Sequence, residues 1–169
     1  MDRIWAPWRR AYVEAAGGEA AGGSGGCFLC EFPAENRDAE RGIVWRWQQW
    51  YALLNAYPYS NGHLMLVLAR HHEGFQGLSA QEGAELAPAL ELCEAAVREA
   101  YEPQGLNLGV NMGRVAGAGA VGHLHVHLVP RWNGDTNFMT SIGGTRVLPE
   151  SLASSYERLR AAFRKCAPP

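Results

Sequence analysis

The sequence predicts an α+β fold: an antiparallel five-stranded sheet with helices packed on it. Three observations predict it. Five short apolar stretches read as strands, and most neighbours are joined by turn-length links, which suit antiparallel pairs. Two longer segments repeat apolar residues at helical spacing, one among the strands and one after them. The third observation is Gly122-His123-Leu124-His125-Val126-His127-Leu128-Val129-Pro130-Arg131, where three histidines alternate with apolar residues. Side chains alternate faces along a strand, so His123, His125 and His127 share one face while Leu124, Val126 and Leu128 are buried behind them.

In chain order, residues 1–14 hold two tryptophans, a tyrosine and three arginines. That is too aromatic for a disordered tail and predicts an ordered N-terminal arm. Gly17 to Gly26 is a flexible Gly-rich linker. Cys27 to Arg37 reads as a loop or short turn. Ile43–Trp47, Tyr51–Asn55 and His63–Ala69 are strands, the third the most buried, and Tyr57–Gly62 is turn chemistry. Ser79-Ala80-Gln81-Glu82 has the form of a capping box and opens a helix on which Leu86, Leu90, Cys93 and Val97 share a face. Pro88 lies inside it and predicts a kink. Leu106–Met112 and His123–Val129 are the fourth and fifth strands. Leu152, Tyr156, Leu159 and Phe163 mark a C-terminal helix.

The 169 residues form one domain by this reading, with no internal repeat. Fifteen Lys and Arg against 17 Asp and Glu give a net charge of −2. No broad basic surface is expected to attract nucleic acid or an anionic membrane. There is no signal-peptide pattern and no apolar run long enough to span a bilayer, so a soluble, cytoplasmic protein is expected. In a reducing compartment, Cys27-x-x-Cys30 favours metal or redox chemistry over a structural disulfide. Cys93 and Cys166 stand alone.

Three histidines on one strand face admit two chemistries. They can gather on a metal ion, though no acidic residue that could orient them follows until Asp135. Alternatively, one neutral imidazole attacks phosphorus while its neighbours fix its tautomer. The preceding Gly113–Gly122 stretch is small and Gly-rich, and backbone N–H groups in such a loop can converge on phosphate oxygens.

The triad with its flanks resembles the signature of the histidine triad nucleotide-binding superfamily. Leu54-Asn55-Ala56-Tyr57-Pro58-Tyr59-Ser60-Asn61-Gly62-His63 is similar to that family's segment ending in Gly-His. Asn111 stands where the family has a nucleotide-contacting asparagine. The arm Arg3–Arg9 and the tail Pro130–Phe138 are similar to a bacterial branch that cleaves diadenosine tetraphosphate by phosphorolysis.

The resemblance implies roles for particular residues. His125 would be the nucleophile that takes the nucleotidyl group, with His127 and His63 orienting or polarising it. Asn55 would hold ribose hydroxyls. Asn111 and the loop of Gly117, Gly119 and Ala120 would hold phosphate oxygens; apart from the resemblance, Arg114 or Arg131 is expected to add charge for a phosphate there. It further implies a structural zinc on Cys27, Cys30, His71 and His123, with His72 competing for the place of His71. Nucleotide and phosphate would be the partners, and the sheet would continue across a homodimer. Related alternatives are a nucleotide or nucleoside phosphoramidate hydrolase and a nucleotide-binding module with little turnover. The chain departs from many members at Gly119 and Ala120, where a Gln or Ser side chain would bind phosphate and aid the leaving group.

Overall fold

The sheet is built on β3, Leu64–Leu68, whose five residues are all apolar and all buried. The computed structural model describes residues 26–136 and 150–168. The arm over residues 1–14, the linker up to Gly25 and the end of the tail motif, Asn137 and Phe138, lie outside the described residues. Besides β3, the strands are β1 (Ile43–Arg46), β2 (Trp50–Leu54), β4 (Gly105–Gly109) and β5 (His125–Arg131). Every pairing is antiparallel, in the order β1-β2-β3-β5-β4. The expected α+β class and strand count are thus observed.

Because β3 is central, its alternating side chains enter two cores. Leu64, Leu66 and Leu68 join Trp50, Ala52, Leu54, Leu124, Val126 and Leu128 on one face. Two long helices cover that face: α3 (Ala80–Tyr101) through Ala89, Cys93, Ala96 and Val97, and α4 (Leu152–Cys166) through Tyr156, Leu159, Ala162 and Phe163. Cys93 is a core residue, as its spacing predicts. Ser79 and Glu82 form the predicted capping box, Arg70 pairs with the Glu82 carboxylate, and Trp50 Nε1–H donates to the Glu82 carbonyl. The start of α3 is therefore fixed to the sheet. The helix runs through Pro88 without being divided.

The opposite face carries a smaller core of Ile43, Tyr51, Leu53, Met65, Val67 and Ala120, closed by Leu29. Cys27–Arg37 is not a loop: it contains α1 (Phe28–Ala34), followed by the single-turn α2 (Asp38–Arg41). Pro33 lies inside this helix and cannot donate to the carbonyl of Leu29, four residues earlier. The phenolic O–H of Tyr51 donates to that carbonyl instead, at 2.6 Å. A tertiary bond offsets what the local sequence lacks.

Two strand boundaries also move. β4 ends at Gly109, before a loop containing a 3-10 turn at Arg114–Ala116. β5 starts at His125 and runs to Arg131, so His123 precedes the strand. Pro130 is tolerated because the β3 pairing has ended at Leu128, and beyond it β5 is paired with β4.

Candidate functional site

Gly62 sets up the first histidine. Its φ of +73° favours glycine, and a Cβ there would lie 2.5 Å from the Tyr101 ring. The turn it makes presents buried His63 beneath the sheet face that carries His125 and His127. Through the β3–β5 register, Met65 sits beside His127 and Val67 beside His125, so the second core floors the histidine row.

The hydrogen bonds order these imidazoles. His125 is 3% exposed, and its Nδ1–H donates to the His123 carbonyl at 2.7 Å. The proton is thereby held on Nδ1, and Nε2 carries the lone pair. Burial lowers the His125 pKa, opposed by that carbonyl bond, and the neutral imidazole is favoured. The Tyr59 N–H donates to His63 Nδ1 at 3.1 Å, which puts the His63 proton on Nε2. That nitrogen stands 3.0 Å from His127 Nδ1, so a neutral His127 accepts there and carries its own proton on Nε2. The His125 and His127 ring centroids are 4.9 Å apart, nearly perpendicular. A nucleophilic nitrogen and a proton donor are set side by side.

They open onto a pocket of about 370 Å³. Asn55, Asn111, Gly117, Gly119 and Ala120, all expected from the sequence, line it with His125 and His127. Asn55 Oδ1 accepts from the Tyr57 N–H at 2.9 Å, and its amide nitrogen is 3.5 Å from His63 Nε2. Gly117, at φ +84°, closes the 3-10 turn and turns the loop back toward Asn111. Arg131 is not brought to this pocket. It lies near the end of β5, held by both oxygens of Asp135 and by Asn107 Oδ1 at 2.8 Å. Arg114 is likewise outside the pocket lining.

The sequence reading missed the apolar wall. Phe28, Leu29 and Phe32 from α1, with Leu53 and Met65 from the sheet and Tyr57 at the rim, make one side of the cavity. Arg41 joins them, its guanidinium 4.7 Å over the Phe32 ring while paired with Glu35. The i, i+4 spacing of Phe28 and Phe32 is the signal that could have revealed them.

A second cluster lies at the other end of the histidine row. Single ligand atoms of Cys27, Cys30, His71 and His123 all fall within 4.8 Å of one another. His123 Nδ1 is 3.2 Å from Cys27 Sγ and 3.5 Å from Cys30 Sγ, and His71 Nδ1 is 3.5 Å from Cys30 Sγ. Ligands on one tetrahedral ion of zinc size would stand roughly 3.5 Å apart, so the four can hold a metal. His123 Nε2–H donates to the Leu68 carbonyl at 2.7 Å, which leaves Nδ1 to face the thiols. Burial and the Cys27 thiol raise the Cys30 pKa to about 11. His72 points away, with Nε2 2.8 Å from the Gln76 carbonyl. The structure thus brings His71, and not His72, to the two thiols, and it turns His123 toward this cluster while His125 and His127 line the pocket.

Comparison with known proteins shows the family and the fold. The AP-4-A phosphorylase of Mycobacterium tuberculosis is 38% identical over 168 residues, covering 98% of this chain and 86% of that protein. Among solved structures, a hypothetical histidine triad nucleotide-binding protein from Sulfolobus tokodaii is 31% identical, with a TM-score of 0.63 over 83% of this chain and 91% of that one. A Zn-bound histidine triad family protein from Mycobacterium smegmatis shares the fold, with 24% identity and a TM-score of 0.65 over 82% of this chain and 94% of its own. The HIT domain model matches residues 36–134, from the end of α1 to the turn after β5, and with these likenesses the chain belongs to the HIT domain family.

Proposed function

We propose that this chain is a nucleotidyltransferase that cleaves diadenosine tetraphosphate by phosphorolysis, through a nucleotidyl-histidine on His125. One observation carries the reading. His125 is a buried, neutral imidazole with its Nδ1 proton held by the His123 carbonyl, so that Nε2 is nucleophilic at the pocket. The substrate class is supported by the Mycobacterium tuberculosis relative, an AP-4-A phosphorylase matched along almost the full chain.

In the first step, the His125 Nε2 lone pair attacks an α-phosphorus. The bond from that phosphorus to the bridging oxygen breaks and ATP departs. His127 Nε2–H stands beside the reacting centre and offers its proton to the phosphoryl or bridging oxygen. His63 supports it through the Nε2–H to Nδ1 bond. This relay supplies an acid that Gly119 and Ala120, lacking functional side chains, do not. In the second step a phosphate oxygen attacks the same phosphorus, the P–N bond breaks and ADP leaves. The apolar wall of α1 takes the adenine, Asn55 faces the ribose, and Asn111 with the Gly117–Ala120 backbone receives phosphate oxygens.

Cys27, Cys30, His71 and His123 would hold zinc in a closed site of two thiolates and two imidazoles, which lends structure and no reactive position. Such paired thiols suit a reducing, cytoplasmic setting. The whole chain, 1–169, is read as one HIT-like domain, with the arm and linker as its N-terminal extensions. A homodimer is supported by β4, an edge strand with exposed Leu108, against which a second sheet can pair. Among the described residues, no helix is long and apolar enough to cross a membrane.

Diadenosine tetraphosphate incubated in labelled phosphate tests the reading. Label should enter ADP, with ATP as the unlabelled product. Unlabelled AMP and ATP as the main products at millimolar phosphate would make the protein a hydrolase.

A further inference from the structure

We propose that the Cys27–Cys30–His71–His123 centre controls nucleotide affinity, because its metal holds α1 in place as a wall of the pocket. The inference rests on the nucleotide reading above and adds to it a coupling between two sites.

Helix α1 has seven residues and no side-chain N-cap bond, so it is too short to persist by itself. Besides the contact of Phe32 with Arg41, three features hold it. Leu29 is buried in the second core, the Tyr51 hydroxyl binds the Leu29 carbonyl, and the thiols of Cys27 and Cys30 meet the two imidazoles. Those imidazoles belong to the sheet. His71 follows β3, and His123 is fixed by the Leu68 carbonyl of β3. A metal bound by all four ligands therefore ties the first turn of α1 to the central strand. The side chains next to those ligands are the pocket wall: Phe28 lies between the cysteines, and Phe32 is one turn further on.

The same centre reaches the nucleophile through the backbone. His123 supplies a ligand nitrogen, and its carbonyl accepts the His125 Nδ1–H. Cys27 and Cys30 are in this sense positioning residues: neither lines the pocket, yet both hold what does. Releasing the metal leaves Leu29, the Tyr51 bond and the contact of Phe32 with Arg41 as the remaining anchors of α1. The apolar wall then loses its fixed position, and a bound nucleotide has to reorder it.

Coupling of this kind is reciprocal. If metal tightens nucleotide binding, nucleotide must tighten metal binding by the same factor. The test is a zinc competition titration with a chelator, run on the holoprotein with and without saturating AMP. AMP should tighten zinc by about tenfold. The Phe32→Ala protein should keep its zinc but show weaker AMP binding and less than a threefold effect of AMP on zinc, on the order of RT in coupling. Amide exchange on stripped protein should rise across residues 28–34 while β2, β3 and β5 stay protected. Equal zinc affinity with and without AMP would overturn the inference, as would collapse of the whole sheet on stripping. Failure of the holoprotein to bind AMP at all would instead remove the nucleotide reading and this inference with it.

Discussion

The two faces of one sheet have been put to different uses, and β5 shows it residue by residue. Leu124, Val126 and Leu128 enter a core sealed by α3 and α4, in which Leu128 is fully buried. Between them His125 and His127 enter the other face, where a seven-residue helix and a Gly-rich loop leave a cavity, while His123 just before them turns to the cysteine pair. The helix-covered face is held by area: two long helices and stacked rings such as Trp45 on Phe163, 5.6 Å apart. The histidine face is held by specific bonds: a carbonyl to His125, an N–H to His63, a hydroxyl to Leu29. One face should therefore respond to substitution in stability and the other in chemistry.

The largest effect is expected on the histidine face. His125→Ala should lower turnover by about a hundredfold or more, leaving folding and AMP binding largely intact. Steady-state rates and a binding titration check this. On the other face, Phe163→Ala removes a fully buried ring and should cost about 3–5 kcal/mol in denaturant unfolding. Below its melting range, that variant should keep its kcat. Cys30→Ser should remove bound metal, read by elemental analysis against about one zinc per chain in the wild type, and lower Tm by roughly 10 °C. Retained metal in that variant would dissolve the proposed centre. The smallest effect is expected at Arg131→Ala, whose guanidinium is engaged by Asp135 and Asn107 on the surface. KM should change by less than about twofold, and Tm by no more than about 2 °C.

The sheet and its histidine row were legible in the sequence because a period of two has one structural meaning. Alternation at 123–128 and the all-apolar run at 64–68 each specify how a strand is buried. The capping box at Ser79 was legible for the same local reason. Helix α1 was hidden because its stabilisation is not local: Pro33 speaks against it, and the compensating hydroxyl comes from Tyr51, across the fold. The apolar wall was lost along with the helix. Arg131 was expected at the phosphate for its charge, and it does share the histidine parity of β5, but parity does not fix distance along the strand. Four residues of strand put it about 13 Å beyond His127, where Asp135 takes its charge. The choice between His71 and His72 needed the direction of two neighbouring side chains, which no spacing encodes.

The measurement that bears most directly on the account is isolation of the covalent intermediate. The protein would be mixed with diadenosine tetraphosphate without phosphate, quenched in alkaline denaturant where a phosphoramidate survives, digested and examined by mass spectrometry. One adenylyl group on the peptide containing His125, discharged to ADP when phosphate is added before the quench, is the predicted result. Product formed at full rate with no adduct, or an adduct on another residue, would contradict it.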